Sequence, residues 1–298
     1  MTQIKINHLK TEQRNPSTME LDKLSPIEIV TIMNDEDAKV AAAVKLLLPE
    51  ISKAVEAIVA RLRQGGRVIY IGAGTSGRLG VLDASECPPT FSTTDEFIGI
   101  MAGGDAAIRN AVEGAEDSSE LGIEDLTRIN VSSKDVVVGL AASGRTPYVL
   151  GAVNYARQRG AVTIAVTCNP GSDLGKIADI AINVAVGPEV LTGSTRLKSG
   201  TAQKMVLNML STASMVRCGK TYGNLMVDVK ATNLKLIERT VKIVKEATGG
   251  DDESARETLA KCNYSAKKAI VMILANCDEE NAVKRLESAR GFVREAIR

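Results

Sequence analysis

Five short apolar runs punctuate the middle of this chain, at residues 67–71, 97–101, 135–140, 162–166 and 180–184. They are mainly apolar rather than alternating, which is the pattern of strands buried on both faces. Helical patterns separate several of them, and strands alternating with helices imply a parallel sheet covered on both sides. The expectation is an α/β fold, a doubly wound parallel sheet flanked by helices. A weak internal echo supports it: a strand leading into Thr75-Ser76-Gly77-Arg78 and a helix resembles a strand leading into Ala142-Ser143-Gly144-Arg145 and a helix.

The flanks read as helical. Ser25-Pro26-Ile27-Glu28 is a helix start, with Ser25 and Glu28 as a capping box and Pro26 at the first helical position. Val40, Val44, Leu47, Leu48, Ile51, Val55, Ile58, Val59 and Leu62 recur at steps of three and four, and Pro49 should kink or split that pattern. Ala202, Met205, Val206, Met209, Leu210 and Ala213 trace another helical face, with Gly219 a plausible C-terminal cap, and the residues after Gly249-Gly250-Asp251-Asp252 read as a small helical bundle. Three stretches are expected: an N-terminal arm and helices over 1–56, a ligand-binding sheet domain over 57–220, and a C-terminal helical region over 221–298.

Composition removes several function classes. Lys and Arg number 37 against 36 Asp and Glu, and aromatics are only 3%, so neither a basic field for nucleic acid nor a base-stacking platform is expected. No run approaches a membrane span in length, and the polar N-terminus lacks an apolar targeting core. The five cysteines form no C-x-x-C pair, which argues against a disulfide framework or a zinc site and for the cytoplasm. The single histidine, His8, lies in the polar arm and reads as an exposed arm residue, so histidine-based catalysis and histidine metal sites are not expected.

Three segments suit an anion. A strand that ends in a Gly-rich turn and opens a helix presents backbone N–H groups and the positive end of the helix dipole. Gly72-Ala73-Gly74-Thr75-Ser76-Gly77, followed by Arg78, supplies that backbone and two hydroxyls. It lacks the P-loop spacing. It has G-x-G-x-x-G spacing, but no acidic residue closes the next strand where a dinucleotide ribose would need one, so a dinucleotide is not expected. In Ser143-Gly144-Arg145-Thr146-Pro147, Thr146 is an N-cap candidate and Pro147 suits the first helical position; plain capping is the competing reading of Ser143 and Thr146. The third segment, around Ser194, Thr195, Arg196 and Lys198, mixes hydroxyls with cations ahead of a long apolar helix.

Without histidine, carboxylates are the natural proton carriers. Glu86, in Asp83-Ala84-Ser85-Glu86-Cys87-Pro88-Pro89, is expected at the end of the helix launched by the first loop, with the two prolines stopping that helix. There it would meet the negative end of the dipole, and burial would favour its protonated form. Glu116, in Val112-Glu113-Gly114-Ala115-Glu116-Asp117, reads from periodicity alone as a solvated helix residue.

The strings that contain these residues resemble the signatures of the N-acetylmuramic acid 6-phosphate etherases. They run over residues 71–90, 111–117, 141–148, 192–204 and 223–229, and the likeness extends from Thr11 nearly to the end of the chain. The resemblance implies a sugar isomerase (SIS) domain over 57–220, a homodimer, and a sugar-phosphate ligand held by Gly74, Thr75, Ser76, Gly77, Arg78, Ser143, Gly144, Arg145, Thr146, Ser194, Thr195 and Lys198. It implies two catalytic glutamates, Glu86 as the acid that assists departure of lactate and Glu116 as the base at C2. It also implies a reaction that replaces the D-lactyl ether at C3 with water and needs no metal or redox cofactor.

Two other readings compete. A non-catalytic sugar-phosphate sensor similar to glucokinase regulatory protein would keep the loops without needing both glutamates. A ketose–aldose isomerase on the same fold is disfavoured by Glu86-Cys87-Pro88-Pro89. The position of Glu86 carries a further expectation. Nine residues of helix beyond Gly77 span about 14 Å, whereas phosphorus and C3 of an open-chain sugar are roughly 6–7 Å apart. Each site is therefore expected to pair Ser76, Ser143 and Thr146 of one chain with Glu86 of a two-fold related neighbour.

Overall fold

The computed structural model describes residues 9–110, 112–231 and 233–298; His8 lies outside them. Strands β1 (Val68–Gly72), β2 (Phe97–Met101), β3 (Val136–Leu140), β4 (Val162–Thr167) and β5 (Ile180–Asn183) begin and end within one residue of the five apolar runs. They form one sheet in the order β2-β1-β3-β4-β5, with every neighbouring pair parallel. Every residue of the central strands β1 and β3 is buried, while edge strands β2 and β5 are only partly so. A strand between two neighbours and under two helical layers has no solvated face, and the unbroken apolar runs follow from that.

The helices are α1 (Pro26–Lys45), α2 (Leu48–Leu62), α3 (Gly74–Phe91), α4 (Ala106–Arg109), α5 (Ser119–Arg128), α6 (Pro147–Gln158), α7 (Asp173–Ile177) and α8 (Lys198–Arg217), followed by α9 (Leu234–Thr248), α10 (Asp252–Lys261), α11 (Ala266–Leu274), α12 (Glu279–Ser288) and α13 (Val293–Ala296). The capping box at the start of α1 forms, the backbone N–H of Ser25 donating to the Glu28 carboxylate at 2.8 Å. Pro49 splits the apolar pattern as expected: α1 ends at Lys45, and Pro49 sits in the first turn of α2. Ile51, Ala54, Val55, Ile58 and Val59 form the buried stripe of α2.

Compactness divides the chain in two. One unit comprises the chain up to Ser85 with Glu96–Leu210; the other comprises Glu86–Asp95 with Ser211–Arg298. The N-terminal helices thus belong with the sheet. In the first unit Ile69, Ile71 and Val137 of the sheet pack with Val149, Ala152 and Val153 of α6 and with Leu174. Burying each such aliphatic side chain stabilises by roughly 1.5–3 kcal/mol over leaving it exposed. The second unit is helical, with a core of Val241, Val244, Leu259, Ile270, Val271 and Leu286 that also takes in Val227 and Val229.

One expectation is corrected. Pro88 and Pro89 do not stop α3, which runs through them to Phe91. A proline in a helix removes one backbone bond and crowds the carbonyl four residues earlier, a penalty of about 3 kcal/mol. Here it is offset by bonds to the end of the helix: Ser92 N–H donates to Pro88 O at 3.0 Å, and the Ser92 hydroxyl donates to the Asp228 carbonyl at 2.6 Å. The local rule sees only the penalty; the bond to the carbonyl of residue 228 belongs to the tertiary fold.

Candidate active site

The sheet order places the chain reversal between β1 and β3. From β1 the chain leaves through α3 toward β2; from β3 it leaves through α6 toward β4 on the other side. The usual ligand position in a doubly wound sheet is beyond the C-terminal ends of the strands that flank such a reversal, here β1 and β3. Both predicted loops lie there, since Gly72 and Leu140, the last residues of the two strands, are register partners.

The first loop is tighter than its sequence suggests. Helix α3 starts at Gly74, whose φ of +54° favours glycine, so Thr75, Ser76 and Gly77 occupy its first turn. A Cβ on Gly77 would stand 2.7 Å from the carbonyl oxygen of Gly72, so only glycine lets the helix begin this close to the strand. Ser76 is buried, and its hydroxyl donates to Gln203 Oε1 of α8 at 2.8 Å. A Cβ on Gly200 would lie 3.6 Å from Thr75 Cγ2, so the first turns of α3 and α8 are in contact.

In the second loop Thr146 occupies the N-cap position of α6 and Pro147 its first position, but the Thr146 side chain accepts no capping hydrogen bond. Its hydroxyl is not consumed by the helix. The Ser143 hydroxyl accepts from Arg145 N–H at 3.3 Å, and Gly144, at φ +68°, closes against Ser172. The Arg145 side chain lines a separate cavity of about 580 Å³, together with Lys10, Asn169, Ser172 and Lys176.

The third segment already holds an anion of its own. Glu189, fully buried, accepts from the N–H groups of Lys198 and Ser199, both at 2.9 Å, and from the Ser199 hydroxyl at 2.9 Å. Its carboxylate takes the helix-N-terminal position an external anion would otherwise use. Lys198 is also buried, and its ammonium pairs with Glu36. Burial pushes the Glu36 carboxyl up, but hydrogen bonds and charges from Lys198 and Lys39 outweigh this and hold it below the ordinary carboxylate value. Ser194 and Thr195 are half-buried in the turn before α8. Arg78 is likewise engaged: its Nε and Nη2 donate to the carbonyls of Ile108 and Ala107, each at 2.8 Å, fixing α4 against α3.

Of the two glutamates, Glu116 lies exposed in the turn Ala115–Asp117, entered through a left-handed Gly114, and is in the first unit. Glu86 is exposed on the last stretch of α3 and belongs to the second unit. The burial expected around it is not supplied by its own helix. Pro88 and Pro89 have no N–H for the carbonyls of Ala84 and Ser85, so the end of α3 carries acceptors without their helical donors.

Gln203 and Glu189 escaped the sequence reading. Gln203 reads as one polar position on an apolar helix, and Glu189 sits in an aperiodic stretch nine residues ahead of the N–H it accepts. Neither carries a local signal; a polar residue on the buried face of a helix is the only hint Gln203 offers. Among the described residues no helix is long and apolar enough to cross a membrane, and no group of three or more His, Cys, Asp or Glu is placed to hold a metal ion.

The fold and the paired loops define an SIS-domain protein. Residues 50–157 match the glucokinase regulatory protein N-terminal SIS domain, residues 113–213 the SIS domain, and residues 223–269 the C-terminal lid domain of glucokinase regulatory protein. A phosphoheptose isomerase from Francisella tularensis superposes with a TM-score of 0.52 at 17% identity, over 65% of this chain and 100% of that one, a likeness of fold. Curated relatives are far nearer in sequence. The N-acetylmuramic acid 6-phosphate etherase of Vibrio atlanticus is 58% identical over 98% of this chain and 96% of its own length. That of Clostridium beijerinckii is 56% identical over 100% and 98%, and that of Mycolicibacterium smegmatis 57% identical over 98% and 98%. The chain belongs to the N-acetylmuramic acid 6-phosphate etherase family.

Proposed function

We propose that this protein cleaves the D-lactyl ether of N-acetylmuramic acid 6-phosphate, giving N-acetylglucosamine 6-phosphate and D-lactate. The observation that carries the proposal is the near-full-length identity of 55–58% to enzymes of that name. The two loops at the C-terminal ends of β1 and β3 are its physical counterpart: backbone N–H groups at two helix starts, with the hydroxyls of Thr75, Ser76, Ser143 and Thr146, suit a 6-phosphate.

Opening the sugar makes C1 an aldehyde and acidifies the C2 proton. Glu116 takes that proton, the electron pair forms the C2–C3 double bond, and the C3–O bond breaks. Glu86 gives its proton to the departing lactate oxygen. Glu86, now a carboxylate, then takes a proton from water as the water oxygen adds to C3, and Glu116 returns a proton to C2. Two carboxyls thus carry every proton of the elimination and the addition, in keeping with a chain whose one histidine lies in its N-terminal arm. We also propose a homodimer in which Glu86 serves the phosphate site of the neighbouring copy, because α3 separates it from Gly77 by about 14 Å along one helix.

The test is incubation with N-acetylmuramic acid 6-phosphate in ¹⁸O-water. D-Lactate should be released without label, and the label should enter the sugar at C3. The matches to glucokinase regulatory protein favour one alternative, a sugar-phosphate-binding regulator. Tight binding of the sugar phosphate with no D-lactate formed would select it.

A further inference from the structure

The segment 223–229 stood out in the sequence, yet none of its residues enters the reaction above. In the structure Val227 and Val229 are buried in the helical core, and Asp228 between them is half-buried. Its carboxylate pairs with Lys267, in the first turn of α11, and with Lys220 at 3.7 Å. The Lys267 ammonium also donates to the carbonyl of Gly219, just past α8, at 2.9 Å, and its backbone N–H donates to Val227 O at 3.2 Å. One largely buried cation thus fixes this segment to two helices. Burial pushes the Lys267 ammonium down in pKa, against the pull of Asp228.

The other side of the segment reaches α3. The Asp228 carbonyl accepts the Ser92 hydroxyl at 2.6 Å, and Lys230 N–H donates to Pro89 O at 3.5 Å. Ser92 has φ +52°, a left-handed conformation unfavourable for a residue with a side chain. The helix end held here contains two prolines and a strained serine, none of which favours it locally. It also carries Glu86, three residues before Pro89.

From this we infer that Asp228, Lys267 and Ser92 are positioning residues that hold the end of α3 so that Glu86 meets the ether oxygen. The inference rests on the proposed role of Glu86. All three act on the reaction through the helix end and none through contact with substrate.

The test compares Asp228→Asn, Ser92→Ala, Lys267→Met and Glu86→Gln. Asp228→Asn keeps the carbonyl that Ser92 uses but loses the charge that Lys267 needs. Misplacing a catalytic group by about 1 Å lowers a rate by roughly a hundredfold. Asp228→Asn and Ser92→Ala are each expected to lower kcat about ten- to a hundredfold, with KM and inhibition by a 6-phosphate sugar within about twofold of the parent. Asp228→Glu should restore part of the lost kcat, and the Asp228→Asn/Lys267→Met pair should be no slower than its slower single variant. If Asp228→Asn does not fold, Ser92→Ala carries the same comparison. Unchanged kcat in folded Ser92→Ala and Asp228→Asn, with Glu86→Gln inactive, overturns the inference. So does a fall in kcat matched by an equal loss of inhibitor affinity. Retention of activity by Glu86→Gln overturns the role of Glu86, and the inference with it.

Discussion

The hydroxyl of Ser76, on the first turn of α3, donates to Oε1 of Gln203 on α8 across 2.8 Å. The single hydrogen of that hydroxyl is therefore directed by a residue 127 positions later in the chain. Gln203→Glu would hold that hydrogen permanently and put a negative charge beside the proposed phosphate position. Loss of one hydrogen bond to a charged group amounts to about 1.5–3 kcal/mol, roughly a factor of 10 to 150. Inhibition by a 6-phosphate sugar should weaken by at least the lower figure, and inhibition by the unphosphorylated sugar should not. Equal inhibition of parent and variant would place the phosphate away from Ser76.

Glu86→Gln keeps the shape of the side chain but removes the acid. Turnover should fall by about a hundredfold to ten-thousandfold, the range of general acid–base contributions. Isothermal titration with a 6-phosphate sugar should show binding within a fewfold of the parent. Turnover within a fewfold of the parent would remove Glu86 from the mechanism.

Ser143→Ala and Thr146→Val separate ligand binding from helix capping. Because the Thr146 side chain accepts no bond from α6, its removal should leave the melting temperature nearly unchanged. Affinity for a 6-phosphate sugar should drop by roughly 1–3 kcal/mol for each. A drop shared equally by the unphosphorylated sugar would mean that these hydroxyls do not meet the phosphate.

Mixed dimers test the sharing of sites. A Glu86→Gln chain and a chain lacking both the Ser143 and Thr146 hydroxyls would be unfolded, mixed and reassembled. If Glu86 acts on the neighbour's phosphate site, each mixed dimer has one intact site and one doubly altered site, so activity reappears. Mixed dimers that form and stay inactive would show each chain to be self-sufficient.

The buried pair of Glu36 and Lys198 should govern stability rather than chemistry. Lys198→Met leaves Glu36, which is only 4% exposed, with Lys39 still beside it but without its buried partner, and should destabilise by up to about 3–5 kcal/mol. The double variant Glu36→Gln/Lys198→Met should lose less, because no buried charge remains and Lys39, freed of Glu36, is exposed to water. The sign with pH follows from the lowered Glu36 carboxyl. Its contribution is present above the unfolded value and is lost as pH falls through the folded one. Thermal melts from about pH 5 to about pH 3 should therefore fall less steeply for the double variant than for the parent.

What the sequence determined by itself was whatever local physics encodes. Apolar runs without alternation placed five strands to within a residue, because a strand covered on both faces has no polar side to show. Pro26 located a helix start and Pro49 a break in a helical pattern, because proline's fixed φ and missing N–H suit a first turn and not a helix interior. Gly72 to Gly77 and Ser143 to Pro147 announced two strand-to-helix turns, and the sheet order then set them side by side. The tertiary structure alone decided the rest. Pro88 and Pro89 read locally as a stop, yet α3 continues, held by the bond that the Ser92 hydroxyl donates to the Asp228 carbonyl, 136 residues later. Lys198 read as a cation for a ligand, yet it is buried against Glu36, 162 residues earlier, while Glu189 fills the start of α8. A side chain's chemistry is written in its own residue, but its partner is chosen by whichever distant segment the folded chain brings within hydrogen-bond reach.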